Sequence, residues 1–172
     1  MERKPRKLPV AISEDEFTEL IKHTNMEHHK LAFLLGFGSG LRVSEILNLT
    51  PERVDMKEKS IFVSQGKGKK DRIVPLPKGF KDKYLALLPF KIRTTRALEM
   101  VFRRTAINAG LTKVKPDIHF HSLRHGFASQ LIKKGVPIHH VRTLLGHSNI
   151  STTNVYLELN PKEALKSYED LF

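Results

Sequence analysis

The stretch His121-Ser-Leu-Arg124-His125, followed by Leu145-Gly-His147-Ser-Asn-Ile-Ser-Thr-Thr-Asn-Val-Tyr156, carries the strongest signal in the sequence. Read as a helix, His121 and Arg124 stand at positions i and i+3 and therefore share one face. His147 follows a glycine at a predicted helix end, and a single tyrosine comes nine residues later. Two imidazoles, a guanidinium and a phenol are the groups expected around a phosphodiester that a tyrosine hydroxyl attacks. The pattern predicts a helical region that carries such a site.

The charge of the chain points to a polyanionic partner. Among 172 residues, Lys and Arg number 30 and Asp and Glu 18, which gives a formal charge of +12. An excess of basic residues of this size indicates nucleic acid as the first candidate for the binding partner. The absence of cysteine excludes disulfides, zinc-thiolate sites and a thiol nucleophile. No apolar run has the length of a membrane span. We therefore expect one soluble, cytoplasmic, nucleoid-associated domain that acts on DNA and contacts no membrane.

Capping and turn signals predict a mainly helical chain with one small hairpin. Ser13 and Glu16 form a capping-box pattern, and Thr94 or Thr95 begins a later helix with Leu98, Val101, Phe102 and Ile107 facing inward. Gly110 and Gly135 are predicted to follow helix ends. The predicted helices span residues 13–23, 27–37, 42–49, 79–88, 95–109, 121–134, 137–145, 151–156 and 162–171, and the predicted strands span 61–63 and 73–76.

The predicted hairpin has a very basic tip with two glycines, Gln65-Gly-Lys67-Gly-Lys69-Lys70-Asp-Arg72. Pro75 cannot donate to a neighbouring strand, which predicts that the second strand lies at a sheet edge. A basic loop of this kind is commonly only a solvated turn. In a DNA-binding chain, the same lysines are candidates for phosphate contacts.

Four segments in order resemble the catalytic domain of tyrosine recombinases, the phage-integrase family, and are nearest to its Xer-like members. They are Gly38-Ser-Gly-Leu-Arg42-Val-Ser-Glu45, the stretch Gly66 to Pro75, His121 to His125, and Leu145 to Tyr156. The resemblance implies an α+β fold, mainly helical with a small β-hairpin or sheet. It also implies a basic flexible lead over residues 1–8, a catalytic domain over 9–172, and the absence of the family's N-terminal core-binding domain.

The resemblance implies a role for each matching residue. Two arginines would hold the scissile phosphate, a hairpin lysine would be the general acid, and Lys69 competes with Lys67 for that role. Supporting phosphate contacts would come from Lys69, Lys70 and Arg72, with Glu45 orienting the site by hydrogen bonds. The catalytic set is Arg42, Lys67, His121 (general base), Arg124, His147 (transition-state donor) and Tyr156 (nucleophile). No metal and no cofactor are required, because the cations supply the electrostatic stabilisation.

Other functions remain open on the sequence alone. A non-catalytic DNA-binding accessory module and a type IB topoisomerase-like relaxer fit the same charge pattern. A metal-dependent nuclease would need ligands from the histidines, which are His119, His121, His125, His139, His140 and His147. We expect double-stranded DNA as partner and a homo-oligomer, dimer or tetramer, on it. The apolar stripe of the tail Ala164–Phe172 would pack on its own domain or insert into a neighbouring protomer.

Overall fold

The computed structural model describes residues 9–64, 71–92, 94–146 and Tyr168. The described part is helical with one small sheet, which confirms the predicted fold class. Its α-helices are α1 (Glu14–Lys22), α2 (Glu27–Gly38), α3 (Val43–Leu47), α4 (Thr95–Asn108), α5 (Leu111–Val114), α6 (His121–Lys133) and α7 (Ile138–Leu145), and its strands are β1 (Val54–Asp55), β2 (Ser60–Val63) and β3 (Arg72–Pro75). Short 3-10 helices occur at Pro51–Arg53 and Asp82–Leu87.

The beginning of α1 confirms the predicted capping box. The Ser13 hydroxyl accepts a hydrogen bond from the Glu16 backbone N–H at 3.2 Å, and the Glu16 carboxylate accepts from the Ser13 N–H at 2.8 Å. Two backbone donors at the helix start are thus satisfied by side chains and backbone of the same turn. Thr94 caps α4 in a similar way, accepting from the Ala97 N–H.

The three strands form an antiparallel sheet in the order β1-β2-β3. The register sets Val63 opposite Arg72, where the predicted hairpin leaves the sheet. Strand β3 lies at an edge, as Pro75 predicted. Strand β1 was missed because two residues are too few to display an alternating pattern.

The main core surrounds α2, which packs against α6 and α4. Phe33, Phe102 and Phe120 meet edge to face, with ring centroids 5.5, 6.0 and 5.8 Å apart. Helix α6 lies very close to the segment that precedes α1. A Cβ on Gly126 would lie 2.5 Å from the Ile12 carbonyl oxygen. This packing fixes the helix that carries His121 and Arg124.

A second, smaller core lies between α6 and α7. It contains Phe127, Leu131, Val136, Val141, Leu144, Leu145 and Tyr168. The Tyr168 ring lies 6.4 Å from that of Phe127 in the same chain. At this position, the tail packs on its own domain. The predicted helices over 151–156 and 162–171 otherwise lie outside the described residues.

Two local predictions were wrong, and one short helix was missed. Ile107 was predicted to face inward but is 53 % exposed, because it lies five residues beyond Phe102, about 140° around the helix. The helix predicted over 79–88 is a 3-10 helix at Asp82–Leu87, with the Tyr84 N–H bonded to the Lys81 carbonyl. Helix α5 was not predicted, since its four residues are too short to show periodicity. In the described part of the chain, no helix has the length and apolarity needed to cross a membrane.

Candidate active site

Arg42 stands at the beginning of α3, where Gly40 turns the chain after α2. Gly40 has φ of +66°, and a Cβ there would lie 2.5 Å from the Phe127 ring, so glycine alone fits without strain. The Arg42 side chain is 36 % exposed, and its Nη1 donates to Glu45 Oε1 at 2.9 Å. The guanidinium is therefore oriented by a carboxylate while part of it faces solvent.

The Glu45 carboxylate accepts four N–H groups. Besides Nη1 of Arg42, they are the Arg42 backbone N–H at 2.8 Å and Nη1 and Nη2 of Arg72 at 2.9 and 2.8 Å. Burial raises the pKa of Glu45, but the hydrogen bonds from Arg72 and the Arg42 backbone outweigh it and hold the pKa below its ordinary value. Glu45 is thus an ionised carboxylate, in a position that fits the predicted supporting role.

The structure places Arg72 differently from the sequence-based prediction. It was expected to contact phosphate from the basic hairpin, yet its side chain is only 4 % exposed. Besides its two bonds to Glu45, its Nε donates to the Leu144 carbonyl at 2.8 Å. The guanidinium faces inward because β3 returns to the sheet edge directly beside α3 and the end of α7. All three guanidinium nitrogens of Arg72 thus donate to protein groups, and Arg72 is a structural tie in this structure.

Arg124 projects from α6 into the same region and is buried. Its Nη1 donates to the Gly40 carbonyl at 2.6 Å, and its Nη2 donates to the Leu145 carbonyl. Burial, with the nearby charges of Arg42 and Arg72, lowers the pKa of Arg124 to about 9. Arg124 therefore keeps its positive charge near neutral pH. We call Arg42, Arg72, Arg124 and Glu45 the arginine cluster.

Three imidazoles lie just before and within the first turns of α6, and we call His119, His121 and His125 the histidine row. The His121 ring lies 4.7 Å from that of His125 and 6.3 Å from that of His119. Partial burial, then the charges of His125 and Arg124, lower the pKa of His121 to about 4. His121 is therefore neutral near pH 7 and can accept a proton. Burial also lowers the pKa of His125, which is half-buried.

Two clefts meet at Arg42. One, of about 310 Å³, lies against α3 and β2, and the other, of about 530 Å³, lies between α3, α4 and the start of α6. The second contains His119, His121, Arg96 and Arg103. Arg96, Arg103 and Arg104 are exposed. Sequence reasoning did not foresee that Arg103 also holds the chain before α6, by donating to the Pro116 and Ile118 carbonyls at 2.8 and 3.1 Å.

Five predicted site residues lie outside the described part of the chain: Lys67, Lys69, Lys70, His147 and Tyr156. The predicted end of α7 is confirmed, since Gly146 has φ of +64° directly before His147. Tyr84 and Tyr168 are buried in apolar packing, as expected for structural tyrosines. Within the described ranges, the side chains form no group of three or more metal-ligand residues that could hold an ion.

The arrangement of α2, α3, the three-stranded sheet and α6 is that of a tyrosine recombinase catalytic domain. Residues 11–163 match the model of the phage integrase family, and the chain belongs to that family. It is 35 % identical to the tyrosine recombinase XerA of Thermococcus kodakarensis and 37 % identical to a tyrosine recombinase of Thermosipho africanus, in each case over 96 % of this chain. The chain spans 64 % and 63 % of those relatives.

Two solved structures show the same fold. The crystal structure of XerA recombinase matches with a TM-score of 0.68 at 30 % identity, covering 96 % of this chain and 66 % of that one. The integrase from mycobacterium phage Brujita matches with a TM-score of 0.73 at 21 % identity, covering 99 % of this chain and 60 % of that one. The second likeness concerns the fold alone.

Proposed function

We propose that this chain is the catalytic domain, over residues 9–172, of a site-specific DNA recombinase. It cleaves one strand through a covalent 3′-phosphotyrosyl intermediate and rejoins it to another. The observation that carries the proposal is the meeting of two charged guanidiniums, Arg42 and Arg124, beside a neutral imidazole, His121. Membership of the phage integrase family supports the same reading.

The arginine cluster suits a phosphodiester. Three guanidiniums against one carboxylate leave a net charge of 3 − 1 = +2 at this centre. A phosphodiester brings one negative charge, and further charge develops on its nonbridging oxygens during attack. Donors held in place before the reaction stabilise that charge without reorganisation. Arg42, which keeps an exposed face, and Arg124 would hold the nonbridging oxygens.

The assignment of the proton transfers is supported by the lowered pKa of His121 and by the family resemblance. The Tyr156 hydroxyl attacks phosphorus and the P–O5′ bond breaks, while His121 accepts the phenol proton and Lys67 protonates the departing 5′ oxygen. His147 would donate a hydrogen bond to the transition state. The chain has three tyrosines, and Tyr84 and Tyr168 are buried, which favours Tyr156 as the nucleophile. Attack by another 5′-hydroxyl reverses these steps and rejoins DNA without a cofactor or metal.

The proposed partner is double-stranded DNA, bound by a homo-oligomer, either a dimer or a tetramer. Lys69 and Lys70 would add phosphate contacts around the hairpin. Such binding weakens steeply with salt because each neutralised phosphate releases counterions. The tail is a candidate link between protomers, although Tyr168 favours packing on its own domain. Unchanged size of the DNA-bound oligomer after deletion of residues 160–172 would rule out that link.

A suicide substrate tests the function. Nicked DNA that loses its 5′-hydroxyl fragment after cleavage should trap a covalent complex with the wild-type protein and none with Tyr156→Phe. Lys78→Ala, an exposed lysine beyond the hairpin, is the control for a change of surface charge. If wild type and Tyr156→Phe bind DNA equally and reversibly with salt, and neither forms a covalent product, the protein is an accessory module. Plasmid relaxation by a monomer, without recombinants, would indicate a relaxer, and cleavage abolished by EDTA would indicate a nuclease.

A further inference from the structure

Arg72 joins three elements that carry parts of the site. It belongs to β3, its Nη1 and Nη2 hold the Glu45 carboxylate of α3, and its Nε holds the Leu144 carbonyl at the end of α7. Two of these bonds pair with one carboxylate and the third goes to a backbone carbonyl, all from one planar group. A lysine ammonium could not hold the paired carboxylate contact and the carbonyl in the same fixed geometry.

The contact with Glu45 reaches Arg42. Both arginines donate their Nη1 to the same oxygen, Oε1 of Glu45, at 2.9 Å. Arg72 therefore fixes the carboxylate that orients the Arg42 guanidinium. Without Arg72, the carboxylate would keep, among the described residues, the two donors of Arg42 and would be free to rotate with them.

The contact with Leu144 reaches the other side of the site. The last carbonyls of a helix have no partner within the helix and carry partial negative charge, so cations at this end are stabilising. Arg72 takes the Leu144 carbonyl and Arg124 takes that of Leu145, the residue that closes α7. Two buried guanidiniums thus fix the point from which the chain continues to His147.

We propose that Arg72 is a positioning residue for DNA cleavage: it contacts no phosphate, but fixes Arg42 through Glu45 and the end of α7 through Leu144. The proposal rests on the proposed function, because it assigns a role within that reaction. It replaces the direct phosphate contact that the sequence predicted. It also differs from a role in stability alone, since loss of Arg72 should disturb the groups that hold the phosphate while the protein remains folded.

The experiment measures single-turnover cleavage and DNA affinity for wild type, Arg72→Lys and Arg72→Met. Arg72→Lys keeps a cation and serves as the milder change if Arg72→Met does not fold. Lys115→Met is the matched control, because Lys115 is a partly buried cation that also joins distant segments, holding the Ala11 carbonyl and the Glu16 carboxylate, and it does not belong to the arginine cluster. The folded fraction of each variant is measured by circular dichroism at the assay temperature.

The expected cleavage rate falls roughly 10- to 100-fold in the Arg72 variants, the size usual for loss of an outer partner of a site group. The slope of log affinity against log salt stays at the wild-type value, whereas a lost phosphate contact would lower it by about one. Lys115→Met loses thermal stability but keeps the wild-type cleavage rate of its folded fraction.

Two altered substrates locate the defect. A methylphosphonate at the cleavage site lacks the nonbridging negative charge that Arg42 and Arg124 would hold. On this substrate, the loss of cleavage rate in the Arg72 variants relative to wild type should therefore be smaller. A 5′-bridging sulfur makes departure easy without a general acid, so on that substrate the deficit should persist, while Lys67→Ala should recover. A wild-type rate in the Arg72 variants, a changed salt slope, a loss matched by Lys115→Met, or full recovery on the sulfur substrate would each overturn the proposal. If wild type itself traps no DNA, the proposed function fails instead.

Discussion

The arginine cluster and the histidine row lie side by side and are built in opposite ways. In the cluster, Arg72 and Arg124 are buried and bonded to Glu45 or to backbone carbonyls at the end of α7 and at Gly40. In the row, His121 is exposed, and ring contacts with its neighbours are its principal described interactions. The groups that would hold charge are fixed in advance, whereas the group that would move a proton is left accessible.

The difference follows from how each side chain responds to burial. An arginine stays protonated at neutral pH, so its buried charge needs a carboxylate or carbonyl partner. A histidine can lose its proton instead, and the pKa of His121 falls to about 4 through partial burial and the positive charges around it. The same positive environment that suits a phosphate thus also keeps His121 in the proton-accepting form.

The largest effect is expected for Arg124→Lys, which tests the fixed side of the comparison. A lysine cannot reach both the Gly40 and Leu145 carbonyls, and each buried group left unsatisfied costs about 1–3 kcal/mol. Cleavage should fall by roughly 10²–10³-fold, as for removal of one transition-state donor. Suicide-substrate rates and urea unfolding check both effects. If Arg124→Lys were as stable as wild type, the arginine cluster would be less firmly fixed than its contacts indicate.

His121→Gln tests the accessible side. Removing a general base costs roughly 10²-fold or more in rate. Because His121 is exposed and holds no buried partner, the free energy of unfolding at pH 7 should stay within about 0.5 kcal/mol of wild type. Single-turnover cleavage and urea unfolding measure the two. A large loss of stability together with an unchanged rate would reverse the division between the two regions.

Glu45→Gln tests whether the carboxylate holds the cluster together. It removes the only carboxylate bonded to Arg42 and Arg72 in the described structure, and breaking a buried ion pair costs about 3 kcal/mol. The rate should fall by roughly tenfold, because Arg42 remains present but less oriented. Glu45→Asp, which keeps the charge on a shorter side chain, is the matched control. Equal stability of Glu45→Gln and wild type at pH 7 would contradict this role.

The smallest effect concerns stability in acid. The folded pKa of His121 lies below its ordinary value of 6.5, so the unfolded chain binds this proton more readily and stability falls as the pH drops from about 6.5 toward 4. Solvent screening at this exposed position limits the contribution to about 1 kcal/mol. His121→Gln should therefore lose less stability than wild type over that interval in urea unfolding. If the stability of wild type and of His121→Gln changed with pH in parallel, the lowered pKa of His121 would be excluded.

Glu45 contributes a separate acid sensitivity. Its folded pKa is depressed, so its stabilisation is present above about pH 4.5 and is lost as the pH falls further. The two contributions are distinguished by comparing the pH curves of the variants at Glu45 and His121. The variant at His121 should change the upper part of the acid transition, and the variant at Glu45 the lower part.

The sequence predicted what depends on local spacing. The Ser13 capping box, the turn at Gly146 and the helical pairing of His121 with Arg124 all arise within a few residues, and the structure confirms them. The buried position of the Arg72 side chain could not be predicted from local spacing. Its partners are 27 and 72 residues away, and a basic hairpin gives no local sign that one of its cations turns inward.

The most direct test of the account is to identify the residue that becomes linked to DNA. Wild-type protein is trapped on a suicide substrate, digested, and the DNA-bound peptide is mapped by mass spectrometry. The account predicts a phosphotyrosyl bond at Tyr156, with Arg124→Lys giving the same linkage in far lower yield. A linkage at another residue, or no linkage while the DNA is bound and the protein is folded, would contradict it.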